Sequence, residues 1–239
     1  MTKRWMVGAS LAMAAFGASA NVLDFEGIQF TQFQANVISG YSLANTNSYI
    51  SGLSTNYPGY GNLKWSQNGN LNDFRVVEAS GFLARNPGTP ANNGITHGLV
   101  SGNWVATNSG GADVWFETLN PTAPLFNFDS AYMSAAWYNG LKVDVTGYRN
   151  GVAQSTKTVT LGHGASLQEF NMSNVDKVLF HSQQTSGTVI DNQSTYNHAF
   201  VMDNLSITAV PEPESYGLAL IGLGLFGGIA ARKRLTKPA

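Results

Sequence analysis

Between Leu141 and Leu161 the chain alternates apolar and polar residues with a period of two. Leu141, Val143 and Val145 fall on one side, and Lys142, Asp144 and Thr146 on the other, the pattern of a strand with one face buried. Asn150-Gly151 follows. That pair readily takes the positive φ angles of a tight hairpin turn, so Ser155–Leu161 reads as a Thr-rich return strand. Shorter runs at Val22–Ile28, Asp73–Ala79, Ile95–Val105, Asp113–Leu119, Leu125–Trp137, Leu167–Phe170, Lys177–His181 and Ala199–Thr208 also read as strands. No stretch between them keeps a helical period. About ten short strands spaced by turns predict an all-β fold, an antiparallel β-sandwich of the jelly-roll kind.

The two ends break this pattern. Lys3 and Arg4 precede the apolar run Met6–Phe16, and Ala18-Ser19-Ala20 is a small-residue cleavage sequence. Residues 1–20 therefore read as a cleavable N-terminal signal helix, cut after Ala20 by signal peptidase following Sec export. At the other end Pro211 and Pro213 stop any regular element. Tyr216–Ala231 then carries no charge, and residues 232–239 are basic. As a helix, 216–231 is about 24 Å long, slightly short of a hydrocarbon core of about 30 Å. Snorkelling Arg and Lys side chains can make up the difference. The basic end is expected to stay cytoplasmic. The folded domain is then 21–209, and 210–239 is a separate C-terminal segment with a hydrophobic, membrane-spanning helix.

The Pro211-Glu212-Pro213 triplet, the short apolar span and the terminal Arg232-Lys233-Arg234 together resemble the PEP-CTERM sorting signal of Gram-negative bacteria. The resemblance implies an exosortase substrate, with Pro211, Glu212 and Pro213 as the recognised triplet. It also implies a transient inner-membrane anchor, and then release or attachment at the cell surface or in the extracellular matrix. A link to exopolysaccharide and biofilm follows from the resemblance alone. Within the domain, Ala136-Trp137-Tyr138-Asn139-Gly140-Leu141, Val145-Thr146-Gly147-Tyr148 and Phe200-Val201-Met202-Asp203-Asn204-Leu205 resemble passenger domains of PEP-CTERM proteins, which look like carbohydrate-binding-module jelly rolls.

Charge changes the picture once the ends are set aside. The whole chain has 13 Lys and Arg against 14 Asp and Glu. Six of the basic residues lie in the terminal segments, against only Glu212 and Glu214 among the acids, so the domain carries a net charge near −5. No basic face remains for nucleic acid. Cysteine is absent, so an exported domain must be held by its core, with or without a metal.

The residues offer little catalysis. His97, His163, His181 and His198 are scattered, with no His-Glu-x-x-His spacing and no Gly-x-Ser-x-Gly elbow. A non-enzymatic protein is expected. A pair of carboxylates that meet only in space would leave a secreted hydrolase open. Strand alternation places Val201, Asp203, Leu205 and Ile207 on one face, so Asp203 points with apolar residues and needs a partner. First and last strands commonly adjoin in a jelly roll, which would bring Asp24 or Glu26 toward Asp203. Such an oxygen-rich group suits a structural calcium, and the resemblance to carbohydrate-binding modules implies the same. The alternative is that Asp203 starts a turn or accepts backbone hydrogen bonds beside Asn204. For a glycan ligand the loop Tyr57-Pro58-Gly59-Tyr60 offers two aromatic rings, Tyr57 and Tyr60, as a stacking platform. Trp137 is expected in the core. The functional expectation is an exported surface or matrix protein, with a carbohydrate-binding module of defined glycan specificity as the alternative.

Overall fold

The computed structural model describes residues 20–26, 50–53, 58–66, 74–85, 93–119, 125–189 and 198–210. Their strands, in chain order, are β1 (Ala20–Leu23), β2 (Ile50–Gly52), β3 (Leu63–Trp65), β4 (Phe74–Glu78), β5 (Trp104–Asn108), β6 (Val114–Thr118) and β7 (Phe126–Ala135). They continue as β8 (Tyr138–Asn139), β9 (Leu141–Arg149), β10 (Val152–Leu161), β11 (Ser166–Val175), β12 (Lys177–Ser182), β13 (Thr188–Val189) and β14 (Phe200–Ala209). One sheet runs β11-β7-β14-β5-β4-β2, with β1 also on β14, and the other runs β10-β9-β12-β6-β3. Every pairing is antiparallel, which bears out the all-β sandwich.

The hairpin forms where Asn150-Gly151 places it. Asn150 has φ 51° and Gly151 φ 75°, and Leu141 pairs with Leu161 and Val143 with Val159 across it. Alternation then turns Leu141, Val143 and Val145 inward, where all three are fully buried. Aromatic rings join the two sheets. Phe116 of β6 meets Phe128 of β7 edge-on at 5.6 Å, and Phe180 of β12 lies 5.3 Å from Phe200 of β14. Trp65 contacts Phe74 at 5.2 Å and Phe116 at 5.4 Å. Rings of this size bury large apolar areas and interlock in edge-on pairs. They hold the sandwich together in a chain without disulfides.

The run Ile95–Val105 is not one strand. Asn93 caps a short helix, Gly94–His97, by accepting hydrogen bonds from the N–H groups of Ile95 and Thr96 at 2.9 and 3.1 Å. A loop follows, and β5 begins only at Trp104. The run Asp73–Ala79 also ends differently, because Ala79 opens the helix Ala79–Arg85. These helices lie over the outer face of the larger sheet. Ile95 and Ala79 pack there with Val77, Val105, Ala136 and Val201 in a second apolar cluster. Both helices are too short to show a period of 3.6 in the sequence. Trp137 is partly buried against both clusters, tilted on Phe82 at 6.0 Å.

His198 lies just before β14. It is buried, stacks on Tyr138 at 4.0 Å with an interplanar angle of 16°, and its Nδ1 has no hydrogen-bond partner. Burial holds its pKa below the ordinary imidazole value, and burial together with the charge of His97 does the same for His163. A group with a depressed folded pKa contributes stability above its unfolded pKa, here about 6.5, and loses it as pH falls through the folded value. The melting temperature should therefore fall between about pH 7 and pH 5. His198→Phe keeps the stack and should flatten part of that fall. Thermal melts across the range check both, and identical slopes in the two proteins would exclude His198 as a source.

Candidate functional site

Two places concentrate polar chemistry. The first is a seam in the larger sheet. Along one edge of β14, Val201 and Met202 pair with Thr107 and Ala106 of β5, whereas Leu205 to Thr208 pair with Leu23 to Ala20 of β1. The end of β1 and the start of β5 meet at Asp203 and Asn204. Asn204 has φ 47°, and the register against β7 shifts there, as in a β-bulge.

The bulge corrects the expected alternation. Leu205 and Ile207 enter the main core with Phe200 and Met202. Asp203 shares the opposite face with Val201, which packs in the second cluster. It is nonetheless fully buried. Its Oδ2 accepts hydrogen bonds from the N–H groups of Val100 and Ser101 at 2.8 and 2.9 Å, and Oδ1 from that of Asn204 at 2.7 Å. Glu26 Oε1 accepts from the N–H groups of Asn103 and Trp104 at 2.6 and 2.8 Å. Asp24 Oδ1 accepts from Glu26 N–H at 3.1 Å. Two carboxylates thus gather four backbone donors from the loop that leads into β5. Burial pushes the Asp203 carboxyl above the usual carboxylate range although three backbone donors pull it down, and the charge of Glu26 adds to the rise.

Asp24, Glu26 and Asp203 all lie near enough to Tyr60 for their charges to act on its phenol. Burial comes first in raising that phenol to about 12, with the three carboxylates adding to it. Their oxygens face N–H donors. Among the described residues no group of three or more His, Asp or Glu side chains is arranged to hold a metal ion. Tyr60 is half-buried, with its ring against the core. Its ring stacks on Phe25 at 5.8 Å, its carbonyl accepts Trp65 Nε1–H at 2.9 Å, and it packs on the main core. An aromatic ring beside a buried apolar cluster gains more from packing than from exposure. Ala20 is the first residue of β1, opposite Thr208. Ala18, Tyr57, Pro211, Glu212 and Pro213 lie outside the described residues, as does the span 216–231. Among the described residues no helix is long and apolar enough to cross a membrane.

The second place was missed by the sequence reading. It is the outer face of the five-stranded sheet, away from the core. Register sets three rows across it. Lys64, Glu117, Lys177 and Tyr148 form one, and Trp115, Leu179, Thr146 and Thr156 the next. His181, Asp144 and Thr158 form the third, with Asp113 beside His181. Trp115 is half-buried, with the ammonium groups of Lys177 and Lys64 at 4.5 and 5.3 Å from its ring centre. Lys64 Nζ bonds Glu117 at 2.7 Å. His181 Nδ1 lies 2.7 Å from Asp113. Asp144 accepts from Thr158 Oγ1 at 2.5 Å and from Gln183 at 3.0 Å. Those bonds, that of Thr158 first, hold its carboxyl below the usual range. The middle row carries an indole, an aliphatic side chain and two hydroxyls that bond each other at 2.9 Å. Strands about 4.8 Å apart make such a row roughly 14 Å long. Alternation in β6 and β12 was the available signal: Trp115 and Leu179 sit at outward positions of otherwise regular strands.

Comparison with known proteins bears on the chain's end. The PEP-CTERM protein-sorting motif matches residues 209–234. It marks an exported protein that an exosortase sorts to the cell surface. No curated protein matches the chain. Among solved structures, that of TmCBM61 in complex with β-1,4-galactotriose matches 62% of this chain and 88% of its own, at 12% identity and a TM-score of 0.34. The CBM22-1–GH10 modules of Clostridium thermocellum endo-1,4-β-D-xylanase 10B, complexed with xylohexaose, match over 47% of this chain and 23% of theirs, at 12% identity and a TM-score of 0.26. Both structures contain carbohydrate-binding modules.

The seam gives a sharp expectation. Asp203→Ala leaves three N–H groups without their acceptor, each costing about 1–3 kcal/mol when buried. Allowing for relaxation, a loss of about 3 kcal/mol is expected, lowering the melting temperature by about 6–12 °C. If the carboxylate acts through these donors, the loss is the same in chelator and in added calcium. A difference between the two would show that a cation shares the seam. Gly102, with φ 53°, lies so close to Glu26 that an added Cβ would sit 2.0 Å from its carboxyl carbon. Gly102→Ala should cost about 1–3 kcal/mol, read by the same melts.

Proposed function

We propose that this chain is a non-catalytic surface protein whose β-sandwich holds a polysaccharide on the outer face of its five-stranded sheet, and whose C-terminal segment delivers it there. The observation that carries the binding reading is the row Trp115, Leu179, Thr146 and Thr156, with polar side chains on either side. An indole beside an aliphatic group supports the apolar face of a sugar ring, and neighbouring hydroxyl, amide and carboxylate groups meet its hydroxyls. The acids on this face are engaged by Lys64, by His181, and by Thr158 with Gln183. That favours holding a glycan over hydrolysing one. A rigid sheet presents these side chains without the ordering cost of a loop. Residence in an extracellular matrix, with exopolysaccharide as the partner, is the setting this reading gives the sorted protein.

Trp115→Ala should weaken binding to a retained polysaccharide at least about tenfold, the equivalent of 1.4 kcal/mol, without lowering the melting temperature by more than a few degrees. Affinity electrophoresis through gels cast with different polysaccharides reads this, and unchanged retardation in every gel would remove the face from consideration. The sorting role separates from it. Alanines at Pro211, Glu212 and Pro213 should leave export intact and block C-terminal processing in an exosortase-bearing host. Mass spectrometry of the mature chain decides, and an unaltered mature C-terminus would refute recognition of the triplet.

A further inference from the structure

The charges on the outer face of the five-stranded sheet are not equally engaged. Glu117 pairs with Lys64 at 2.7 Å. Asp113 pairs with His181 at 2.7 Å. Asp144 Oδ1 accepts from Thr158 Oγ1 at 2.5 Å, and Gln183 Nε2 donates to its Oδ1 and Oδ2 at 3.1 and 3.0 Å. Lys177 differs. Among the described residues it has no carboxylate within ion-pair distance, and its ammonium lies over the Trp115 ring at 4.5 Å. Lys64 reaches the same ring at 5.3 Å while holding Glu117.

This arrangement bears on which sugars the row admits. An ammonium over an indole is held by the negative face of the ring, even at an exposed site. A neutral sugar that stacks on Trp115 must move Lys177 off the ring and gives the ammonium nothing in return. A sugar bearing a carboxylate lets Lys177 exchange the ring for an ion pair at the moment the ring is covered. Charge-assisted hydrogen bonds of that kind are roughly twice as strong as neutral ones. The domain's overall negative charge does not oppose this at close range, because salt screens charges beyond about 8–10 Å.

Building on the polysaccharide reading above, we infer that the ligand is an acidic polysaccharide, one with a carboxylate on its sugar rings, bound with Trp115 against a ring and Lys177 on the carboxylate. Lys64, already paired with Glu117, has the smaller part. The carboxylate-rich third row lies on the far side of Trp115 and Leu179 from Lys177, so the ligand's acid groups are directed to the lysine row. Register thereby gives the bound chain an orientation across the strands as well as a charge preference.

The test uses the purified full chain in mild detergent and two probes with one backbone: polygalacturonate and its methyl ester. Isothermal titration should show the ester binding at least tenfold more weakly. Binding of polygalacturonate should weaken as salt rises from 0.05 to 0.5 M. Lys177→Met should lower polygalacturonate affinity about tenfold and leave the ester unchanged, and Lys177→Arg should restore most of it. Lys64→Met should have less effect than Lys177→Met. Melting curves confirm that each variant is folded. If the ester binds as well as the acid, or Lys177→Met leaves polygalacturonate binding intact, the acidic class is overturned. The polysaccharide reading then stands, provided that Trp115→Ala still abolishes binding to both. If neither probe binds, the acidic class is overturned, and the polysaccharide reading falls with it only if Trp115→Ala also leaves retardation unchanged in every polysaccharide gel.

Discussion

Four backbone N–H groups, those of Val100, Ser101, Asn103 and Trp104, end on two carboxylates. The arrangement of the larger sheet depends on that fact. β1 and β5 share one edge of β14 and abut at Asp203 and Asn204. A continuous strand would carry its ladder past this point; two strands meeting end to end cannot. Donors left unpaired there, and only partly open to water, would each cost stability. Asp203 from β14 and Glu26 from the end of β1 supply the missing acceptors from opposite sides of the seam. The same contacts fix where β5 starts. With it they fix β4 and β2, which follow β5 outward in the sheet. A buried carboxylate is a poor source of net stability. Its role here is to specify where one strand stops and another begins.

The sequence reading succeeded where local chemistry decides the outcome. The alternation of Leu141, Val143 and Val145 and the Asn150-Gly151 turn appear in the structure as read. Singling out Asp203 was also sound, because a carboxylate among apolar neighbours must find partners. Its orientation was not legible. Asn204 takes a left-handed conformation that many other residues would tolerate poorly. That single bulge turns Leu205 and Ile207 to the opposite face from Asp203, and strict alternation across it gives the wrong answer. The helix Gly94–His97 was not read either, because four residues leave too short a pattern to show a period of 3.6. Tyr60 could not be assigned because its partners, Phe25 and Trp65, come from different elements. The face around Trp115 was hidden for the same reason. Lys64, Trp115 and Lys177 lie on three strands, and only register brings the two ammonium groups to one indole.

The sorting motif and the Trp115 face occupy separate parts of the chain. The sorting motif starts at the last residue of β14. The Trp115 face belongs to the other sheet, across the core. The buried rings that link the sheets, Phe116 with Phe128 and Phe180 with Phe200, therefore connect the strand that leads into the sorting motif with the sheet that carries the Trp115 face.

This connection has a mechanical side. Whatever holds the chain at its C-terminal end pulls first on β14, since Val210 follows directly from that strand. A load carried by the Trp115 face arrives through the opposite sheet. Tension between them runs along β14, and the hydrogen bonds of an antiparallel ladder lie across the strand direction. The bonds to β7 on one side and to β5 and β1 on the other are then sheared together instead of being peeled open one after another. Rupture under force depends on the unfolding barrier rather than on the equilibrium free energy. A central strand with neighbours on both edges makes that barrier high.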